Sequence, residues 1–229
     1  MSAHRRLGVL GGTFDPVHFG HLDAGDAAQS ALALDEVRLI PAHDPPHRPV
    51  DPRASAYHRF ALVSLAVAER PSWRASDVEL VRPGASYSID TLRALHTDGW
   101  TASQIFFILG ADAFAEIATW RQFPEVLDAS HFVVVARPGM TLDEAVARTP
   151  QLRARMRHPA DAGSASGETG IFLLAAPTRN VSSTTIRTRL AARLPIDDLV
   201  PAAVARHIVA HHLYGAVDDL HGEKQRTHR

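Results

Sequence analysis

Five short apolar runs recur along the chain: Leu7–Leu10, Val37–Ile40, Ile105–Leu109, Phe132–Ala136 and Ile171–Ala175. None of them alternates with polar residues, so each reads as a strand buried on both faces, as in a parallel sheet. Between and after them lie amphipathic stretches with helical periodicity: His21–Leu34, Ala54–Glu69, Ile89–His96, Leu142–Met156 and Ile186–Arg193. Pro201–Leu213 adds a last helical stretch, and Asp77–Leu80 is a weaker strand candidate. Strand alternating with helix predicts an α/β fold, a doubly wound and mostly parallel sheet with a helical C-terminal segment.

Two segments interrupt the rhythm. Pro41–Pro52 holds five prolines and must be a loop. Asp161–Thr169 is rich in Gly, Ser and Ala and reads as a flexible connection. With no internal repeat, a single domain over residues 1–229 is expected, with an ordered core at 7–213 and a frayed polar tail at 216–229.

Composition narrows the classes. The 229 residues are 45% hydrophobic, enough for a large core. The formal net charge of −1 provides no global field for nucleic acid or an anionic membrane. A polyanionic ligand would have to be held by local cations and backbone amides. The absence of cysteine excludes disulfides and thiolate zinc sites and favours a cytoplasmic setting. No apolar run is long enough to span a bilayer, and the first is too short for a signal peptide.

The chemistry concentrates after the first strand, in Gly11-Gly12-Thr13-Phe14-Asp15-Pro16-Val17-His18-Phe19-Gly20-His21. Ligands of open α/β sheets collect at strand carboxyl ends. Gly11 and Gly12 leave the backbone amides open to a phosphate, and Thr13 adds a hydroxyl. His18 and His21, three apart, project to one side of a helical turn and can donate to one polyphosphate. Asp15-Pro16 reads as a turn, ahead of Asp15 as a magnesium ligand. A second segment, Val181-Ser182-Ser183-Thr184-Thr185-Ile186-Arg187, opens a helix with Ser182 or Ser183 as N-cap, amides facing an anion and Arg187 one turn in. Gly110-Ala111-Asp112 follows another strand, where an acidic side chain can accept from a ribose hydroxyl or cap a helix. In Ser86-Tyr87-Ser88-Ile89-Asp90-Thr91 the expected helix cap is Ser88.

The order Gly-Gly-Thr-Phe-Asp-Pro-x-His-x-Gly-His closely resembles the HxGH signature of the nucleotidylyltransferase superfamily, specifically the nicotinate mononucleotide adenylyltransferases. Val181–Arg187 resembles that family's Ile-Ser-Ser-Thr-x-Ile-Arg motif, and Ser86–Thr91 its Ser-Tyr-Thr-x-Asp-Thr segment. Asp44-Pro45-Pro46-His47-Arg48 is similar to Asn-Pro-Pro-His-Lys, and Trp120 matches a tryptophan placed after Gly-x-Asp. The resemblance runs from Leu7 to Leu213.

It implies a Rossmann-like fold and transfer of the adenylyl group of ATP to nicotinate mononucleotide by direct in-line attack, with magnesium accompanying ATP. It makes His18 and His21 catalytic. It assigns ATP to Gly11, Gly12, Thr13, Phe14, His18, His21, Gly110, Asp112, Ser182, Ser183, Thr184 and Arg187. It assigns the mononucleotide to Thr13, His47, Arg48, Ser86, Tyr87, Ser88, Asp112 and Trp120. It calls for no protein metal site. Three positions depart from the pattern: Asp44 for asparagine, Arg48 for lysine, and Arg121 where an aromatic residue or histidine is common.

Pantetheine-phosphate adenylyltransferases share the superfamily pattern but typically carry threonine where this chain has His18. Nicotinamide mononucleotide is an alternative acceptor, and a non-catalytic nucleotide sensor an alternative of another class. A domain of this size is compatible with a monomer and with a homo-oligomer.

Overall fold

The computed structural model describes residues 5–45, 51–136, 139–163 and 168–216. Seven parallel strands form one sheet in the order β3-β2-β1-β4-β5-β7-β6. They are β1 (Leu7–Gly12), β2 (Glu36–Pro41), β3 (Trp73–Ala75), β4 (Ile105–Gly110), β5 (His131–Val135), β6 (Met156–Arg157) and β7 (Ile171–Leu174). The helices are α1 (Phe19–Leu32), α2 (Ala56–Val67), α3 (Ser88–Thr97), α4 (Ala111–Ala115), α5 (Leu142–Arg148), α6 (Ser183–Ala191) and α7 (Ala202–Ala210).

The unbroken apolar strands have a simple cause. Along β5, Val133 and Val135 enter one core with Leu10, Leu39 and helices α1, α2, α6 and α7. Phe132 and Val134 enter a second core with Leu7, Val9 and helices α3 to α5. Successive side chains serve opposite layers, so polar alternation has no place. The fold is the expected doubly wound sheet.

Three expectations are corrected. Asp77–Leu80 is not a strand: residues 78–81 turn, with Leu80 and Val81 N–H donating to Asp77 O. The stretch Leu142–Met156 is not one helix. Pro150 disfavours helical geometry at Thr149, and the chain continues as a 3₁₀ turn at Pro150–Arg155 before pairing as β6. Ser88 is the first residue of α3, whose extended N-cap residue is Tyr87. Strands β3 and β6 had not been anticipated. Of the Asp161–Thr169 connection, residues 159–163 form a 3₁₀ turn and 164–167 lie outside the described residues. The expected tail lies outside them from residue 217, while Ala216 is buried.

The topology selects a place for a ligand. From β1 the chain runs outward through β2 and β3, then returns to lay β4 on the other side of β1. A crevice opens where the carboxyl ends of β1 and β4 diverge. Gly11-Gly12 and Gly110 are the ends of those two strands.

Candidate active site

At the end of β1 the chain turns through Phe14, a buried residue with φ of 50°. A non-glycine residue held in this region is a mark of over-determined backbone, common at functional sites. Its ring packs on Gly12, where an added Cβ would lie 3.2 Å from the ring, and edge-on to His21 at 4.9 Å. His18 caps α1 with extended backbone, and its N–H donates to His21 Nδ1 at 3.2 Å. An accepting Nδ1 places the proton of the neutral ring on Nε2, so Nε2–H is the donor His21 can offer an anion. The His18 and His21 rings stack at 3.7 Å.

Gly20 lets this pair approach the segment before α6. A Cβ there would stand 3.2 Å from His18 Nδ1, 3.2 Å from Val181 Cγ1 and 3.3 Å from the Arg179 carbonyl. Gly20→Ala is therefore expected to cost about 1–3 kcal/mol and to slow catalysis about tenfold or more through displacement of His18. Thermal denaturation and a turnover assay check the two effects.

Two cavities meet at the histidines. One, of about 310 Å³, is lined by Gly11, Gly12, Thr13, Phe14, His21, Gly110, Asp112, Trp120 and Ser183, and also by Ser86 and Ser88. The other, of about 340 Å³, is lined by His18, Gly20, Asp112 and residues 178–182. Asp112 belongs to both. It is exposed and sits in the first turn of α4, behind the N-cap Gly110. Trp120 is fixed edge-on against Phe107 at 5.9 Å and Phe132 at 6.3 Å. Ser182 is the N-cap of α6 and accepts from Thr185 N–H at 3.0 Å.

Most predicted residues are thus gathered, and three described ones lie elsewhere. Thr184 and Arg187 line a third cavity with Arg53 and Tyr214. Tyr87 is not among the lining residues of either main cavity; Arg121 lies over its ring at 4.6 Å and pairs with Asp90 at 3.5 Å. The departure at Arg121 therefore has a structural occupation beside the Ser86–Thr91 segment. His47 and Arg48 fall outside the described residues. Asp15 is a structural acceptor: its carboxylate takes Arg53 N–H, Ala54 N–H and the Tyr214 hydroxyl. Among the described residues no group of three or more His, Asp or Glu could hold a metal ion.

Residues 9–189 match the cytidylyltransferase-like family model. A relative from Moorella thermoacetica is 37% identical over 209 residues, 91% of each chain. One from Hahella chejuensis is 38% identical over 224 residues, 95% of this chain and all of its own. Both are named probable nicotinate-nucleotide adenylyltransferase. The chain belongs to the nicotinate-nucleotide adenylyltransferase family. The solved nicotinic acid mononucleotide adenylyltransferase of Plasmodium falciparum complexed with NaAD shares the fold at 16% identity. Its TM-score is 0.68, covering 92% of this chain and 98% of that one.

Beside the family motifs the site uses residues the sequence did not single out. Glu79 is buried at the edge of the Ser86–Ser88 cavity and accepts from the Thr91 hydroxyl. Burial pushes its carboxyl above the ordinary range, and hydrogen bonds from Thr91 and Ser86 offset part of that rise. Ser86 is held in turn by His43 N–H on its Oγ and by its own N–H to Asp44 O. These bonds tie the base of the proline-rich loop to the Ser86–Thr91 segment. On the other side Arg179 is exposed but paired. It lies over Phe19 at 3.9 Å and donates Nε and Nη2 to Asp23, at 3.0 and 2.7 Å. Burial works to raise Asp23, but the Arg179 hydrogen bonds outweigh it and hold that carboxyl below its ordinary value. Among the described residues no helix is long and apolar enough to cross a membrane.

Proposed function

We propose that the chain transfers the adenylyl group of ATP to nicotinate mononucleotide, giving deamido-NAD and pyrophosphate in NAD biosynthesis in the cytoplasm. The observation that carries this reading is the pair of cavities meeting at His18, His21 and Asp112. One offers the loop at 178–182 to the nucleotide; the other offers Ser86, Ser88 and Trp120 to the acceptor. Two substrates seated in adjoining spaces meet where the donors converge, so proximity supplies much of the rate.

The acceptor phosphate is already an anion and needs no general base. One of its oxygens forms a bond to the α-phosphorus of ATP as the α–β bridging bond breaks and pyrophosphate leaves. The amides of Gly11 and Gly12, the imidazoles and the first turn of α6 face the charge that spreads over the phosphates. Trp120, held by its edge contacts, is placed to stack on the pyridine ring. Magnesium would accompany ATP as its counter-ion and would lessen the charge on the phosphates, held by the substrate rather than by a cluster of protein carboxylates. Asp15 is excluded as its holder by the three donors already on it.

The test is pyrophosphate release from ATP and magnesium with nicotinate mononucleotide, nicotinamide mononucleotide or 4′-phosphopantetheine supplied separately. Release with nicotinate mononucleotide at the highest rate is expected. Preference for another acceptor would overturn the substrate assignment. ATP binding with no release would make the chain a nucleotide sensor.

A further inference from the structure

Glu79 lies in the turn at residues 78–81, is 7% exposed, and borders the cavity that Ser86, Ser88 and Trp120 also line. Two hydroxyls donate to its carboxylate, Thr91 Oγ1 from the first turns of α3 and Ser86 Oγ. Arg82 and Arg59 act on it through space rather than as hydrogen-bonding partners. Burial raises this carboxyl above its ordinary value, and the two hydroxyls and both guanidiniums work against that rise.

A hydroxyl has one proton to give, so each of these oxygens is left as an acceptor for its other donor neighbour. Ser86 Oγ accepts from His43 N–H at 2.9 Å, and Thr91 Oγ1 from Arg82 Nη2 at 3.5 Å. Thr91 has a second and longer partner in Tyr87 O, at 3.4 Å. Two chains of donors therefore run inward, from His43 through Ser86 and from Arg82 through Thr91. Both end on Glu79. An ionised carboxylate suits that position because it only accepts, and hydrogen bonds pointing one way along a shielded chain reinforce one another. The network joins the loop leaving β2, the Ser86 stretch and α3. These carry Ala42, Pro45, Ser86 and Ser88, all of which line the same cavity as Glu79.

We infer that Glu79 is a positioning residue for the ligand of this cavity: as the common acceptor of Ser86 and Thr91, it holds the lining at Ala42, Pro45, Ser86 and Ser88 in its binding arrangement. The inference rests on the proposed function only in taking that ligand to be the pyridine mononucleotide.

Glu79→Gln keeps the shape but supplies one accepting oxygen and an amide that must itself donate, so one hydroxyl loses its acceptor. Affinity for nicotinate mononucleotide, measured by calorimetry, is expected to fall about tenfold. Affinity for a non-hydrolysable ATP analogue is expected to stay within about twofold, because the loop at 178–182 lines the other cavity. Thr91 is buried and does not line the cavity, so Thr91→Val reaches the ligand only through Glu79. It is expected to weaken the mononucleotide about threefold. The double variant should be no more than about twofold weaker than Glu79→Gln alone.

A lower melting temperature with unchanged mononucleotide affinity would make Glu79 merely structural. Equal losses for both ligands, or single effects that multiply in full in the double variant, would also overturn the inference. If Glu79→Gln does not fold, Thr91→Val decides: a selective loss supports the role, and unchanged affinity sinks it. Wild-type protein that binds both ligands but releases no pyrophosphate with any acceptor would overturn the proposed function, while the affinities still test Glu79.

Discussion

Alanine in place of His21 is expected to lower turnover by about two to three orders of magnitude while ATP affinity stays within a few-fold. The ring is prepared for one task. Its Nδ1 is occupied by the His18 N–H, and its faces are set by His18 at 3.7 Å and Phe14 at 4.9 Å. Such a donor needs no reorganisation when charge shifts toward the leaving pyrophosphate, so its value lies in the transition state. On the proposed function, ATP in the ground state keeps the amides of Gly11 and Gly12, the first turn of α6 and the cavity at residues 178–182. Steady-state kinetics at saturating acceptor separate the two effects, with a thermal scan to confirm folding. Lost affinity with turnover intact would demote His21 to a binding residue.

Arg59→Leu is expected to cost about 3 kcal/mol or more and to lower the melting temperature by about 6–12 °C. Arg59 is 1% exposed and lies beneath the cleft rather than in it. Its Nη1 donates to Thr13 O at 2.8 Å and Ala42 O at 2.6 Å, Nη2 to His43 O at 3.2 Å, and Nε to Ala54 O at 3.3 Å. These carbonyls belong to the loops leaving β1 and β2 and to the approach to α2. Leucine fills part of the volume but returns no donor, so buried carbonyls lose their partner together. Turnover should fall even well below the transition, because Thr13 and Ala42 line the cavity proposed to hold the acceptor. A melting temperature within a degree or two of wild type would refute the argument.

The five inner strands could be read from the chain because each is covered by helices on both sides, and two-sided burial writes an unbroken apolar run. The edge strands wrote no such signal. β3 and β6 have three and two residues, each with an exposed arginine, Arg74 or Arg157. Short, charged edges resist pairing with other chains and for the same reason resemble loops. Pro150 was visible, but its neighbours kept an amphipathic pattern that hid the break after Arg148.

The site divides in a similar way. Gly11 to His21 and Ser182 to Ser183 act through spacing within a single turn, which sequence displays directly. Glu79, Arg59 and Tyr214 act through partners 12, 46 and 199 positions away, and no local pattern announces them. Asp15 lay inside a readable motif, yet its work as an acceptor for three distant donors appears only once the chain is folded. Tyr87 and Arg187 lie in motifs the sequence displays, but which space each side chain faces depends on neighbours such as Arg121 and Asp15.

The first turn of α6 has an implication for how such an enzyme could change. Ser182, Ser183 and Thr184 are consecutive, and each borders a different cavity. Any displacement of that turn would be felt in all three spaces at once. On the proposed function, a new acceptor preference is therefore hard to acquire through α6 without disturbing the nucleotide. Ser86, Ser88 and Trp120 border the space proposed for the acceptor alone, whereas Thr178 and Asn180 border only the other. If the cavities hold the proposed substrates, specificity for each can drift independently through those segments, while the shared helical turn is the part least able to vary.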